Sequence, residues 1–425
     1  MRVAGPPHRR AASVAAAAAA VLALVPGAVL GSAAPAGAAP GTPAEPAPTA
    51  STVRPDSPRA AEPLDGDGQC TFPAPPVKQT PWSLQRVLMN QLWQDTRGKG
   101  VTVAVIDSGV DIRNPQLTGA VIAGASVDLI DPKGHGTTDP VGHGTEVAGI
   151  IAARPSPSTG FVGLAPEAKV ISIRQAGEDG TGTVPHLITA LQKAVAAHVD
   201  VINISQDTSS NSPALESAIE AAVNANIVVV ASAGNDGGDG KARTTYPGAY
   251  RGVLAVGASD RNNERASFSQ AGDFVGVAAP GVDMLSTVPG GGQCVDNGTS
   301  FAAPYVAGVA ALIRAKHPKW TAQQVIAQIE QTAQRTSLGH NSLVGWGVVD
   351  PVRALTDDGK PIDSPTPDPG VLKGQDRAVP AALTFGDPAR QREKRTAAYT
   401  VSGVAVALLL VTGTTVALRD RRRRS

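Results

Sequence analysis

Three polar residues stand where apolar segments begin or end, and together they could perform nucleophilic catalysis. Asp107 directly follows the apolar run 101–106, His143 stands between two glycines before an apolar helical run, and Ser300 opens another such run. A serine hydroxyl is a weak nucleophile until a base takes its proton, and the base needs a third group to hold its tautomer. The order Asp, His, Ser is one of three chain orders known for such triads. The sequence therefore predicts acyl transfer with Ser300 as nucleophile, His143 as base and Asp107 as its orienting group.

Each of these residues also has an ordinary structural interpretation. A carboxylate after a strand, such as Asp107, is often a turn or helix cap, and a serine before a helix, such as Ser300, is usually an N-cap. His135 starts the same His-Gly-Thr tripeptide as His143, but no apolar helical run follows it. We therefore expect His135 to be a loop residue, and the catalytic interpretation depends on the three residues occurring together.

A fourth residue could stabilise the negative charge that develops during acyl transfer. Asn235 follows the apolar run 227–231 through Ser232, Ala233 and Gly234. A side-chain amide there could donate to an oxyanion together with the backbone N–H of Ser300. The alternative is an asparagine that only shapes a turn.

The elements that must position these residues alternate between strand and helix patterns. Alternation of this kind predicts an α/β fold with a mostly parallel sheet covered on both faces. Such sheets carry their chemistry at the carboxyl ends of the strands, where Asp107 and Asn235 stand. The expected strands are 101–106, 169–173, 199–204, 227–231 and 253–256, and the expected helices include 145–153, 186–197 and 213–224.

Length and composition place this fold in one large domain. Residues 77–355 alternate apolar runs with Gly-rich breaks, whereas both flanks are rich in Ala and Pro and have little apolar surface to bury. The formal net charge is +1, and the basic residues lie near the termini, so the sequence does not favour nucleic-acid binding.

The flanks indicate export and membrane attachment. Residues 1–38 read as a signal peptide, with an uncleaved anchor as the alternative, and 39–76 as a Pro-rich extension. Residues 356–395 form a second Pro-rich linker before 396–418, which contains no charged side chain. At 1.5 Å per residue this segment extends about 34 Å, enough to cross a hydrocarbon core of about 30 Å, although a buried core helix has the same composition. We expect the catalytic domain outside the cell membrane and the basic tail 419–425 in the cytoplasm.

The chain contains two cysteines, Cys70 and Cys294. They could be two free buried thiols, but in an exported protein a disulfide is favoured. Because Cys294 lies six residues before Ser300, that bond would hold the extension across the catalytic face. We take as a hypothesis that the extension is a permanent brace rather than a removable inhibitor.

Four short segments carry the residues discussed above and occur in a fixed order. They are Asp107-Ser108-Gly109, Gly142-His143-Gly144-Thr145, Ala233-Gly234-Asn235 and Gly298-Thr299-Ser300. In order and spacing they resemble the signature segments of the subtilases, over about residues 77–355. The resemblance implies a three-layer subtilisin-like fold, with one added C-terminal transmembrane helix here, and a serine endopeptidase acting on proteins or peptides with no metal or other cofactor in its chemistry.

The layout of the whole chain narrows the resemblance. A signal peptide, a short extension with a cysteine, a subtilase domain, a Pro-rich linker and a terminal membrane helix are similar to the mycosins, the proteases associated with type VII secretion in actinobacteria. This implies the type VII membrane complex as a partner. The alternative is a structural subunit of that complex, with proteolysis secondary.

Three positions depart from the family pattern. Gln206 and Asp207 replace the Leu-Gly pair usual on the substrate-pairing strand, so the family's side-chain preference cannot be transferred to this chain. Glu146, one turn from His143, stands where many subtilases have a histidine or a small residue, and it could alter access to the base.

Overall fold

The computed structural model describes residues 70–369 and 388–423. Its centre is a seven-stranded parallel sheet with the strand order β2-β3-β1-β4-β5-β6-β7, accompanied by an antiparallel hairpin, β8-β9. Parallel strands need crossover connections, and α-helices supply three of the six here. The strands are β1 Thr102–Asp107, β2 Val127–Asp128, β3 Lys169–Arg174, β4 Val201–Ile204, β5 Val228–Ser232, β6 Val253–Ser259, β7 Val275–Pro280, β8 Met284–Thr287 and β9 Gln293–Asp296.

Helices cover both faces of the sheet and create two apolar cores. Successive strand residues point to opposite faces, so Val103 of β1 joins one core and Ala104 the other. Helices α4 and α5 pack on one face; α3, α6, α7 and α8 pack on the other. The helices are α1 Trp82–Gln85, α2 Met89–Leu92, α3 His143–Ala152, α4 Val184–Ala196, α5 Pro213–Asn224, α6 Thr299–Lys316, α7 Ala322–Thr332, α8 Pro351–Thr356 and α9 Pro388–Arg423.

The predicted three-layer α/β architecture with a mostly parallel sheet is confirmed. Helix α6 lies inside the molecule, since residues 299–314 are all buried. The sequence analysis did not single out β7, β8, β9 or α7. Strand β7, at the edge of the sheet, has the sequence Val-Gly-Val-Ala-Ala-Pro and fewer β-branched residues than the central strands. Helix α7 did carry a local signal, the capping box between Thr321 and Gln324.

Part of the predicted linker 356–395 is bound to the domain. Residues 357–369 lie along the domain: the amide of Gln324 donates to Asp363 at 3.1 Å, and Arg335 pairs with Asp368 at 3.1 Å. Further on, α9 contains the stretch Thr396–Val416, which has a mean hydropathy of 1.7, no buried residues and enough length to cross a membrane. The predicted signal peptide 1–38, most of the extension 39–76 and the remaining linker lie outside the described residues.

Candidate active site

Asp107 and His143 form the first half of the candidate site. Asp107 is the last residue of β1, His143 is the first residue of α3, and the His143 Nδ1 lies 2.8 Å from the Asp107 Oδ1. The same carboxylate oxygen accepts a bond from the Ser108 N–H at 2.8 Å. A carboxylate at Nδ1 selects the tautomer with the proton on that nitrogen, which leaves Nε2 free to act as a base.

Nearby negative charge changes the pKa of His143. Burial lowers it, but the charge and hydrogen bond of Asp107, with smaller contributions from Glu146 and Asp139, raise it to about 9. Glu146 is itself buried on the first turn of α3, and this burial, together with the charge of Asp296, raises the pKa of Glu146 well above its usual value. Glu146, noted in the sequence as a departure, therefore acts on His143 through charge.

A buried carboxylate that the sequence analysis did not identify holds the start of α3. Asp139 accepts hydrogen bonds from the backbone N–H groups of Gly142 and Thr145, both at 2.8 Å, and from the hydroxyls of Thr145 at 2.7 Å and Ser108 at 2.9 Å. These bonds satisfy helix donors that would otherwise lack partners. In the sequence, the position of Asp139 four residues before His143 could have indicated this supporting role. Asp139 thus fixes the backbone from which the imidazole projects.

Ser300 is the second residue of α6, where the free N–H groups of a helix favour negative charge. A Cβ at Gly298 would lie 2.7 Å from the Ser300 Oγ, so a larger residue at this position would crowd the hydroxyl. Phe301 packs edge-on against the His143 imidazole, with ring centroids 5.3 Å apart. This contact links the segment that carries Ser300 to the segment that carries His143.

Asn235 lies beside Ser300 with its side-chain amide held in one orientation. Its Oδ1 accepts from both the N–H and the hydroxyl of Thr299, each at 2.9 Å. The Nδ2 therefore points away from Thr299, and it lies 3.6 Å from the place that a Cβ of Gly298 would occupy, next to the serine hydroxyl. In this orientation Asn235 presents an N–H donor to the space in front of Ser300.

Contacts link the segments that carry the predicted residues: Asp107 bonds to His143, Phe301 packs on the His143 ring, and Asn235 bonds to Thr299 beside Ser300. His135 is an exposed loop residue, as the absence of an apolar run after it predicted. It contributes nothing to the cluster around Ser300.

The extension is linked to the rim of the site. Cys70 and Cys294 form a disulfide with Cα atoms 6.0 Å apart. The N–H of Ala74 donates to Gly291 at 3.0 Å, and a Cβ at Gly142 would lie 3.1 Å from the Phe72 ring. Residues 70–77 therefore pass next to the residue that precedes His143.

The sequence of this chain is similar to those of known proteases. The subtilase family model matches residues 98–347. Subtilisin E of Bacillus subtilis (strain 168) is 43% identical over 257 residues, 60% of this chain and 66% of that protein. The subtilisin of Bacillus pumilus is 42% identical over 257 residues, which make up 91% of its length. The chain thus spans just under two thirds of the first of these relatives.

Two solved structures with a similar fold are the proteases MycP3 and MycP1. The MycP3 protease from the type VII (ESX-3) secretion system is 36% identical with a TM-score of 0.59, covering 67% of this chain and 92% of that one. MycP1 from Mycobacterium smegmatis is 32% identical with a TM-score of 0.61, covering 72% and 91%. Since the family model matches more than half of the chain and the sheet has the expected architecture, the chain belongs to the subtilase family.

Proposed function

We propose that this chain is a serine endopeptidase in which Ser300, His143 and Asp107 form the catalytic triad. The observation that carries the proposal is the 2.8 Å contact between the His143 Nδ1 and the Asp107 Oδ1. It leaves the other ring nitrogen as the base, in a site where Ser300 opens a helix and Asn235 presents an amide donor. Phe301, the residue after Ser300, packs against the His143 ring, which supports a position of Ser300 close to that base.

The proposed reaction has two acyl-transfer steps. The Ser300 Oγ attacks the peptide carbonyl carbon while its proton passes to the His143 Nε2. The resulting oxyanion accepts bonds from the Asn235 Nδ2 and the Ser300 backbone N–H. His143 then gives its proton to the leaving amine nitrogen, and the C–N bond breaks. A water molecule, deprotonated by His143, releases the acyl group from Ser300 and restores the starting state.

The test is active-site labelling of the full-length chain in detergent with a fluorophosphonate probe, beside a Ser300→Ala control. We expect labelling of the native chain and none of the control. A folded native chain that does not react with the probe would contradict the proposal.

We also propose a membrane location and a partner complex for this chain. The apolar stretch Thr396–Val416 and the similarity to MycP1 and MycP3, which are described as parts of type VII secretion systems, support a chain anchored in the cell membrane beside such a complex. We propose the type VII membrane complex as its partner, with the catalytic domain outside the membrane. The alternative proposal, that the chain mainly stabilises the complex, predicts that Ser300→Ala restores secretion to a deletion strain as well as the native chain does.

A further inference from the structure

Asp207, one of the three positions that depart from the family pattern, has a carboxylate with no partner among the described residues. It is partly buried, and within the described residues no hydrogen bond or ion pair reaches its side chain. Gln206 is different: its amide donates to the Gly180 carbonyl at 3.0 Å and accepts from the amide of Gln175. Only Asp207 is therefore left available to an outside group.

The carboxylate lies beside the turn that carries Asn235. A Cβ at Gly234 would be 3.0 Å from the Asp207 Oδ2 and 3.2 Å from the Thr245 methyl group. The Thr245 hydroxyl donates to the Ala233 carbonyl at 2.7 Å, which turns its methyl group toward Gly234. Asp207 and Thr245 thus pack closely against the Gly234 backbone, which a Cβ at this position would prevent.

The contact of Asp207 with Gly234 lies where the chain continues beyond two neighbouring strands, β4 and β5. The β4–β5 ladder ends at the pair Ile204–Ala231, and the chain after β4 pairs again only at Thr208, with Tyr246. Residues 205–207 and 233–235 form the two walls of the gap between these points. Ser205, at its inner end, donates to the Ser300 carbonyl at 2.8 Å, so the gap opens next to the nucleophile.

A substrate side chain must enter this gap if the proposed reaction takes place. The attacked carbonyl lies at Ser300 with its oxygen toward Asn235, and the Cα of the same substrate residue is one bond away. We call the side chain on that Cα the P1 side chain. Between the two walls this side chain meets the Asp207 carboxylate, which lies against the Gly234 backbone.

The charge around Asp207 favours a cationic occupant. Burial and the charge of Asp236 raise the pKa of Asp207 to about 6, so the carboxylate is ionised at neutral and alkaline pH without a compensating cation. Arg243, a basic residue of the adjoining loop, is held by the Asp239 carboxylate and the Asp236 carbonyl. A partly buried carboxylate without a partner is unfavourable, and a basic side chain of a substrate would relieve this cost.

We infer that Asp207 makes the enzyme select lysine or arginine as the P1 residue. This inference rests on the proposed function, because it assigns a substrate class to the same site. Neither an apolar wall nor a glycine at position 207 would supply this preference.

The test uses peptide amides of one common sequence that differ only in the P1 residue: Lys, Arg, Leu or Ala. For the full-length chain in detergent at about pH 8, we expect kcat/KM for Lys and Arg to exceed that for Leu by roughly tenfold or more. Asp207→Asn, which keeps the shape of the side chain, should reduce the Lys-to-Leu ratio by a similar factor. The matched control is Asp273→Asn, an exposed carboxylate just before β7 that makes no ion pair within the described residues, and it should keep the ratio of the native chain.

A binding measurement separates this inference from the proposed reaction. Fluorescent peptides ending in Lys or Leu, which represent the acyl-side product, are titrated into the Ser300→Ala chain. We expect the Lys peptide to bind roughly tenfold more tightly or better, and a second change, Asp207→Asn, to remove the difference. Equal binding of the two peptides, or a preference for Leu or Ala in the kinetic series, overturns the inference. A native chain that discriminates in binding but cleaves neither peptide contradicts the proposed function alone.

Discussion

The hydroxyl of Ser205 donates a 2.8 Å hydrogen bond to the backbone carbonyl of Ser300. In a regular helix the N–H four residues later would pair with this carbonyl, but that residue is Pro304, which has no N–H. The nucleophile's own peptide group is therefore held by the end of β4, and Asn203 in turn donates to Ser205 at 2.9 Å. Strand and helix are linked at the reacting residue.

Ser205→Ala should destabilise the domain, because it leaves a buried carbonyl without a partner. The expected loss is about 1–3 kcal/mol in the free energy of unfolding. Thermal unfolding in detergent measures it, with the exposed Ser209→Ala as control. We also expect slower fluorophosphonate labelling of Ser205→Ala, since Ser300 loses a positioning contact. An unchanged melting temperature would show that another group, or water, satisfies the carbonyl.

Asn235→Ala should reduce kcat with little change in KM, because the oxyanion forms only during reaction. Removal of such a donor from a subtilisin, a relative of this chain, costs about 10²–10³ in kcat, and we expect a loss of that order. Steady-state kinetics on one peptide amide measure it, with the exposed Asn224→Ala as control. A change confined to KM would place Asn235 in substrate binding instead.

The pH dependence of kcat/KM should follow His143, whose neutral form is the base. Because its pKa is raised to about 9, activity on a Leu peptide should increase through the neutral range, reach half its maximum near pH 9 and level off above it. Glu146→Gln removes a negative neighbour that favours the imidazolium, so this limb should move to lower pH. Glu167→Gln, at an exposed carboxylate, is the control. If Glu146→Gln does not shift the pH dependence of kcat/KM, then Glu146 carries no charge while His143 titrates.

The preference for a basic P1 residue should itself depend on pH. Below its pKa of about 6 Asp207 is protonated and cannot pair with an ammonium or guanidinium group. The Lys-to-Leu ratio of kcat/KM should therefore rise between about pH 5 and pH 7. Titration of His143 cancels in this ratio because both substrates use the same base. In Asp207→Asn the ratio should stay flat over this range.

Loss of the Cys70–Cys294 bond should loosen the extension without abolishing the site. The bond spans 224 residues along the chain, and removal of a native disulfide typically costs about 2–5 kcal/mol. We expect the double variant Cys70→Ser/Cys294→Ser, in a Ser300→Ala background that prevents self-digestion, to unfold at lower temperature and to lose residues 70–77 faster to added trypsin. Equal stability and equal trypsin sensitivity would count against the brace hypothesis.

The sequence by itself determined the architecture and the main candidate residues. Alternating strand and helix periodicity predicted the parallel sheet, because burial on both faces imposes continuous apolar runs. The choice of His143 over His135 also followed from local information, since only His143 is followed by an apolar helical run. These features depend on neighbours within a few residues.

The tertiary structure alone decided which distant groups meet. The bond from Ser205 to Ser300, the bond from Ser108 to Asp139, and the position of Asp207 against Gly234 join segments that carry no local sign of each other. The environment of Asp207 depends on where the loop bearing Asp236 folds back, so neither its pKa nor its lack of a partner could be read from residue order. Burial and charge act through space, and only the folded chain defines those distances.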